Sequence, residues 1–135
     1  KRFVNEHPKQ FYFLENIMKL YTEHHFYQKA IEYYNEHPID SMGLTTPERH
    51  RYQCHLAYSL KMMGKQDEAI AIWEGIYQSI RPNLKATAAY FLGKHYLSLD
   101  DKGKALGYFE SIKVQERSNK FASYCQYWTE TLYNK

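Results

Sequence analysis

Three segments of this 135-residue chain align without a gap: HFYQKAIEYYNEH (25–37), GKQDEAIAIWEGI (64–76) and DDKGKALGYFESI (100–112). Each carries an Ala followed by Ile or Leu, then an aromatic ring four residues after the Ala: Ala30 with Tyr34, Ala69 with Trp73, Ala105 with Phe109. A spacing of four puts both side chains on one face of a helix, the small one admitting a neighbouring backbone and the large one filling the space beside it. Upstream of each lies a second helical pattern: Ile17-Met18-Tyr21, Leu56-Ala57-Leu60 and Leu92-Gly93-Tyr96. The separations Tyr21 to Ala30, Leu60 to Ala69 and Tyr96 to Ala105 are identical, and turn formers Gly64 and Asp100-Asp101 fall inside them. The repeated unit is therefore a helical hairpin. Successive hairpins are offset by 39 and then 36 residues, so length varies in the connections between them.

Beyond the third hairpin, Phe121, Tyr124, Cys125 and Trp128 stand in the same relation as Ala89, Leu92, Gly93 and Tyr96. They predict a further helix of the first type, entered through a Ser118-Asn119 cap. The pattern predicts seven helices, over 8–23, 26–37, 47–63, 66–80, 83–98, 101–113 and 119–133, and gives strands no support.

These residues resemble the tetratricopeptide repeat. AYFLGKHYLSLDDKGKALGYFESI has the Leu-Gly and Tyr of that family's first helix and the Ala and Phe of its second. The middle repeat keeps Leu56, Ala57, Gly64, Ala69 and Trp73, while the first has Met18 and His25 where small residues are usual. The resemblance implies an all-α superhelix of stacked antiparallel hairpins forming one domain, with repeats over 11–46, 50–83 and 86–117 and a capping helix over 118–133.

Composition narrows the function classes. A formal charge of +3, with basic residues interleaved among acidic ones, argues against a nucleic-acid-binding arm. No apolar run approaches the ~18 residues of a spanning helix. The opening KRFVNEHP has neither an initiating Met nor an apolar signal core, so the chain reads as part of a longer polypeptide, and its compartment is not legible. Cys54 and Cys125 stand far apart and outside any metal-ligand spacing, which predicts two free thiols. Fourteen tyrosines supply apolar area with a polar tip, suited to half-buried helix surfaces and to recognition.

Chemistry finds little footing. His24-His25 falls in a turn, His50 and His55 do not share a helix face, and His95 stands alone, so no metal site and no cofactor is expected. There is no phosphate loop or nucleophile elbow, and no enzyme activity is expected. Cys54, one turn from Arg51, could have a lowered thiol pKa; the plainer reading is a small residue in a partly covered groove. Cys125 aligns with Gly93 and Ala57 and is expected in the core.

The tetratricopeptide family lines a concave groove with its first helices. Carried onto this chain, that implies a partner-binding set of Tyr12, Lys19, Arg51, Cys54, Tyr58, Lys61, Tyr90 and Lys94, with Glu15 and Gln126 alongside. Tyr rings between Lys and Arg heads suit a peptide or helix carrying carboxylates; alternatively, these are solvated helix faces. The family's clamp for chaperone C-termini is not matched, because Glu15, Lys19 and His55 occupy its first three sites and Thr87 and Phe91 the last two. The expected function is a non-catalytic module binding an acidic protein or peptide partner. The alternatives are the peptide-sensing half of a larger regulator and, less well supported by the residues, a helical-repeat RNA binder.

The tetrapeptide NEHP occurs at 5–8 and 35–38, out of phase with the 39-residue repeat. Pro8 corresponds to Pro47 and is expected to open a first-type helix, whereas Pro38 is expected to follow the end of a second-type one. The two copies are boundaries and not equivalent sites.

Overall fold

Each helical hairpin closes through the same backbone turn. In the computed structural model, which describes residues 8–37 and 44–134, Tyr21, Leu60 and Tyr96 accept hydrogen bonds from the N–H groups of Phe26, Lys65 and Asp101 at 2.8, 2.8 and 2.9 Å. Inside each turn a shorter loop is closed by His25 N to Thr22 O, Gly64 N to Lys61 O and Asp100 N to Leu97 O. The residue between these paired bonds is left-handed each time: His25 at φ 65°, Gly64 at 81° and Asp100 at 62°. This is the paired-bond helix stop that satisfies the last carbonyls of a helix, and it normally asks for Gly at the left-handed position. Only the middle hairpin supplies one.

The helices so connected are α1 (Pro8–Glu23), α2 (Tyr27–Glu36), α3 (Thr46–Met62), α4 (Gln66–Tyr77), α5 (Pro82–Ser98), α6 (Lys102–Glu110) and α7 (Lys120–Tyr133). No strand occurs among the described residues, and the chain is all-α as its periodicity predicts. The helix α1 begins at Pro8 and α3 carries Pro47 in its first turn, so the two prolines hold equivalent places. Thr45 caps α3: its hydroxyl accepts from Glu48 N at 3.4 Å, and the Glu48 carboxylate accepts from Thr45 N at 3.0 Å. Asn5–His7 and Pro38 lie outside the described residues. The helix α2 ends at Glu36, where His37 returns its N–H to Tyr33 and Tyr34 carbonyls and its ring to Tyr33.

Two helices stop three residues earlier than the pattern predicts. After Tyr77 the bonds tighten to three-residue closures, Gln78 N to Gly75 O at 3.2 Å and Ser79 N to Ile76 O at 2.9 Å, and Arg81 before Pro82 is extended at φ −83°, ψ 117°. After Glu110, Ser111 turns its hydroxyl back to Tyr108 O at 2.8 Å and ends α6.

The chain divides into two compact units, Lys1–Ile72 and Trp73–Lys135. In the first, α1, α2 and α3 pack each against the other two. Its interior holds Leu14, Met18, Ala30, Ile31, Tyr52 and Leu56, with Tyr52 stacked on Tyr34 at 4.9 Å between centroids. In the second, α5, α6 and α7 repeat that three-way packing. Its core is built on Ala89, Ala105, Phe109 and Cys125, with Trp128 stacked on Phe109 at 6.1 Å. The repeated Ala residues, Ala30, Ala69 and Ala105, are all fully buried. No described helix is long and apolar enough to cross a membrane.

Candidate functional site

The residues implied by the groove fall into two clusters, one in each unit. In the first unit the organising group is Glu15 of α1. Its Oε1 accepts from Arg51 Nη2 at 2.6 Å, and its Oε2 lies 3.4 Å from His55 Nε2. Arg51 and His55 are four residues apart on α3 and so present their polar ends to one carboxylate. Burial by itself would raise the Glu15 carboxyl; the His55 hydrogen bond and the charge of Arg51 outweigh it and hold the group below the usual carboxylate range.

Arg51 also lies over the Tyr12 ring, 5.5 Å from its centroid, so its cationic head is committed within its own unit before any partner arrives. Tyr58 meets Tyr27 edge to face at 5.9 Å. Lys19 is exposed and only 4.0 Å from Glu23, a contact worth little in water. Lys61 is half-buried.

Cys54 sits half-buried on α3. Its thiol is pushed up to about 12, chiefly by burial and then by the negative charge of Glu15; Arg51 pulls the other way and loses. The lowered pKa suggested by the Arg51 spacing is therefore not found, because burial and the Glu15 charge outweigh Arg51. Cys125 is fully buried, as its alignment predicts, and burial likewise pushes its thiol up to about 12.

The second cluster joins α5 and α7. Tyr90 lies 5.3 Å from both Phe121 and Tyr124, and Phe91 lies 5.5 Å from Phe121. Lys94, one turn beyond Tyr90, places its ammonium 4.4 Å from the centroid of Trp128. Tyr124 and Tyr127 remain open, 42% and 60% exposed. Lys94 is half-buried with its ammonium over the indole, and the protons not turned to the ring can make a charge-assisted bond.

Of this cluster the sequence reading names Tyr90 and Lys94 but not Tyr124 or Trp128, and it names Gln126, which is exposed and turned to Glu130 at 3.2 Å. It also misses His55 as a partner of Glu15. The available signal was the Arg51/His55 spacing together with a carboxylate on the preceding first-type helix. Among the described residues, no group of three or more His, Cys, Asp or Glu side chains is placed to hold a metal ion. Comparison with protein-family models, curated proteins and solved structures found no match.

Proposed function

We propose that this chain is a non-catalytic interaction module of the tetratricopeptide type, and that it binds an acidic protein or peptide. The observation that carries the reading is the cluster on α5 and α7, where the Lys94 ammonium stands at Trp128 beside the open ring of Tyr124. A cation fixed over an indole and flanked by tyrosines offers a carboxylate a charged partner and offers the adjoining apolar side chain an aromatic wall. The family assignment is supported by the three identical hairpin stops at offsets of 39 and 36 residues, and by the three-way helix packing that recurs in both units.

In the first unit the charge available to such a partner is smaller than a count of basic residues suggests, because Glu15 holds Arg51. The second unit is accordingly the better test ground. A random dodecapeptide library panned against the protein should enrich sequences with Asp or Glu next to apolar residues. Binding of the enriched peptides should fall at least tenfold in Lys94→Glu, with helicity and melting unchanged. Failure to enrich any peptide, or affinities indifferent to both Lys94→Glu and Tyr124→Ser, would count against the proposal.

A further inference from the structure

We infer that the cavity among the helix ends of the second unit is a binding site for a small aliphatic carboxylate. This site shares no lining residue with the Tyr90–Trp128 cluster and does not rest on the interaction reading. The cavity measures about 220 Å³. It lies between the loop that leads into α5 and the loop that joins α6 to α7, below the usual size of drug-like pockets and matched to a ligand of a few heavy atoms.

Its polar wall is rich in donors. Lys85 is held in place by donating to Tyr77 O at 3.1 Å and by resting 4.1 Å from the Tyr77 ring centroid, which leaves two of its protons for a ligand. Lys113 lines the same cavity and is exposed. The Ser79 hydroxyl, buried at 6% exposure, accepts from Arg81 N at 3.1 Å, and that of Ser118 accepts from Gln115 N at 2.8 Å. Each of these hydroxyls receives one bond and has its own proton still to give. No carboxylate lines the cavity.

The carbonyls at the end of α6 do not oppose an anion at full strength, since Tyr108 O and Phe109 O are already engaged by Ser111 Oγ and Ile112 N. Ser111 and Gln115 also line the cavity, and its apolar part is Ala86 and Ala122, both buried, with Ile112 half-buried and Ile80 and Pro82 exposed. Two ammonium groups and two hydroxyl donors select an anion; the aliphatic wall selects one that carries a short hydrocarbon body, which inorganic phosphate lacks.

The carboxylate can arrive free or as the C-terminus of a peptide ending in an aliphatic residue, and the test separates the two. Isovalerate titrated into the 15N-labelled protein should shift the amides of Ser79, Lys113 and Ser118 saturably, with a Kd on the order of 1 mM. Isovaleramide, the uncharged isostere, should not. Acetyl-Gly-Val binding at least tenfold tighter than isovalerate assigns the site to a peptide terminus; equal or weaker binding assigns it to the free acid. Lys113→Gln and Lys85→Met, the latter keeping its stem on Tyr77, should each weaken isovalerate at least tenfold, and Lys113→Arg should restore it. The inference is overturned if these amides do not move, if isovaleramide or phosphate shifts them as strongly as isovalerate, or if neither lysine variant changes the affinity.

Discussion

Gly93 of α5 faces Phe109 of α6 so closely that a Cβ built on the glycine would stand 2.8 Å from Phe109 Cδ1 and nearer still to the edge of the ring. Both residues are fully enclosed, so the ring has no free volume into which to retreat. Gly93→Ala should therefore destabilise the protein by roughly 1–3 kcal/mol through overpacking. Chemical denaturation of Gly93→Ala, Phe109→Leu and the double variant checks this. The loss should be smaller in the Phe109→Leu background, because the leucine vacates the ring edge that the new methyl meets.

The hairpin stops give a second expectation. Gly64 sits at φ 81° with open space where a side chain would go, so Gly64→Ala meets backbone strain alone and should cost about 1 kcal/mol. Asp100 occupies the equivalent position at φ 62° and is exposed, so Asp100→Gly should raise the melting temperature by a few degrees. Opposite signs at two equivalent turn positions, read by thermal unfolding, separate the effect from any change in surface charge.

Glu15 links stability to pH. Its folded carboxyl lies below the usual range because His55 and Arg51 favour the ionised form over the opposing effect of burial. A depressed carboxylate pKa contributes stability that is fully present above the unfolded value, near 4.3, and is lost as pH falls through the folded value. Glu15→Gln should thus be less stable than the parent at pH 7 by about 1 kcal/mol, a figure kept small because the Arg51 side chain is 41% exposed. The gap should shrink at a pH well below the unfolded value, where the carboxyl takes up its proton in the folded state as well. Urea unfolding at the two pH values reads it directly; a gap that stays constant would assign the loss to packing instead of charge.

Both thiols should be silent in the native state. With each pushed up to about 12, the thiolate is scarce at neutral pH, and Cys125 is also fully buried. An aromatic disulfide reagent at pH 8 should label neither cysteine appreciably until denaturant is added, when both should react together. Fast native labelling of Cys54 would restore the nucleophile reading that its spacing from Arg51 suggested.

What the sequence disclosed follows a physical division. The Ala and aromatic pairs were legible because helical periodicity records which side chains face inward, and Ala105, Phe109 and Trp73 are indeed enclosed. The hairpin stop was half legible: Gly64 announces a left-handed residue, whereas His25 is driven there by the paired hydrogen bonds around it. Alignment placed Tyr90 and Lys94 but could not supply Trp128 and Tyr124 as their neighbours, since contacts across helices depend on how two axes cross. The tie of Arg51 to Glu15 was illegible for a related reason: alignment gives a residue its helix face but not the charge that meets it from another helix.

Asn119 shows the same dependence at the entry to α7. The cap expected there is present: Asn119 Oδ1 accepts from Phe121 N at 3.1 Å and from Ala122 N at 3.3 Å. The side chain also reaches α5, with Nδ2 donating to Asn83 O and to Thr87 Oγ1, both at 3.1 Å, while its backbone N–H donates to Asn83 Oδ1 at 2.8 Å. Asn119→Asp keeps the acceptor for the cap and removes the donors to α5; Asn119→Ala removes both. A cap alone is worth about 1 kcal/mol, and each lost side-chain bond to α5 adds a further 0.5–1.5 kcal/mol, roughly. Asn119→Ala should therefore cost about 2–4 kcal/mol and Asn119→Asp less. Native-state hydrogen exchange should show the loss concentrated in the amides of α7, because that helix depends on this residue for both its start and its tie to α5. Equal losses in the two variants would place the stabilisation in the tie and not in the cap.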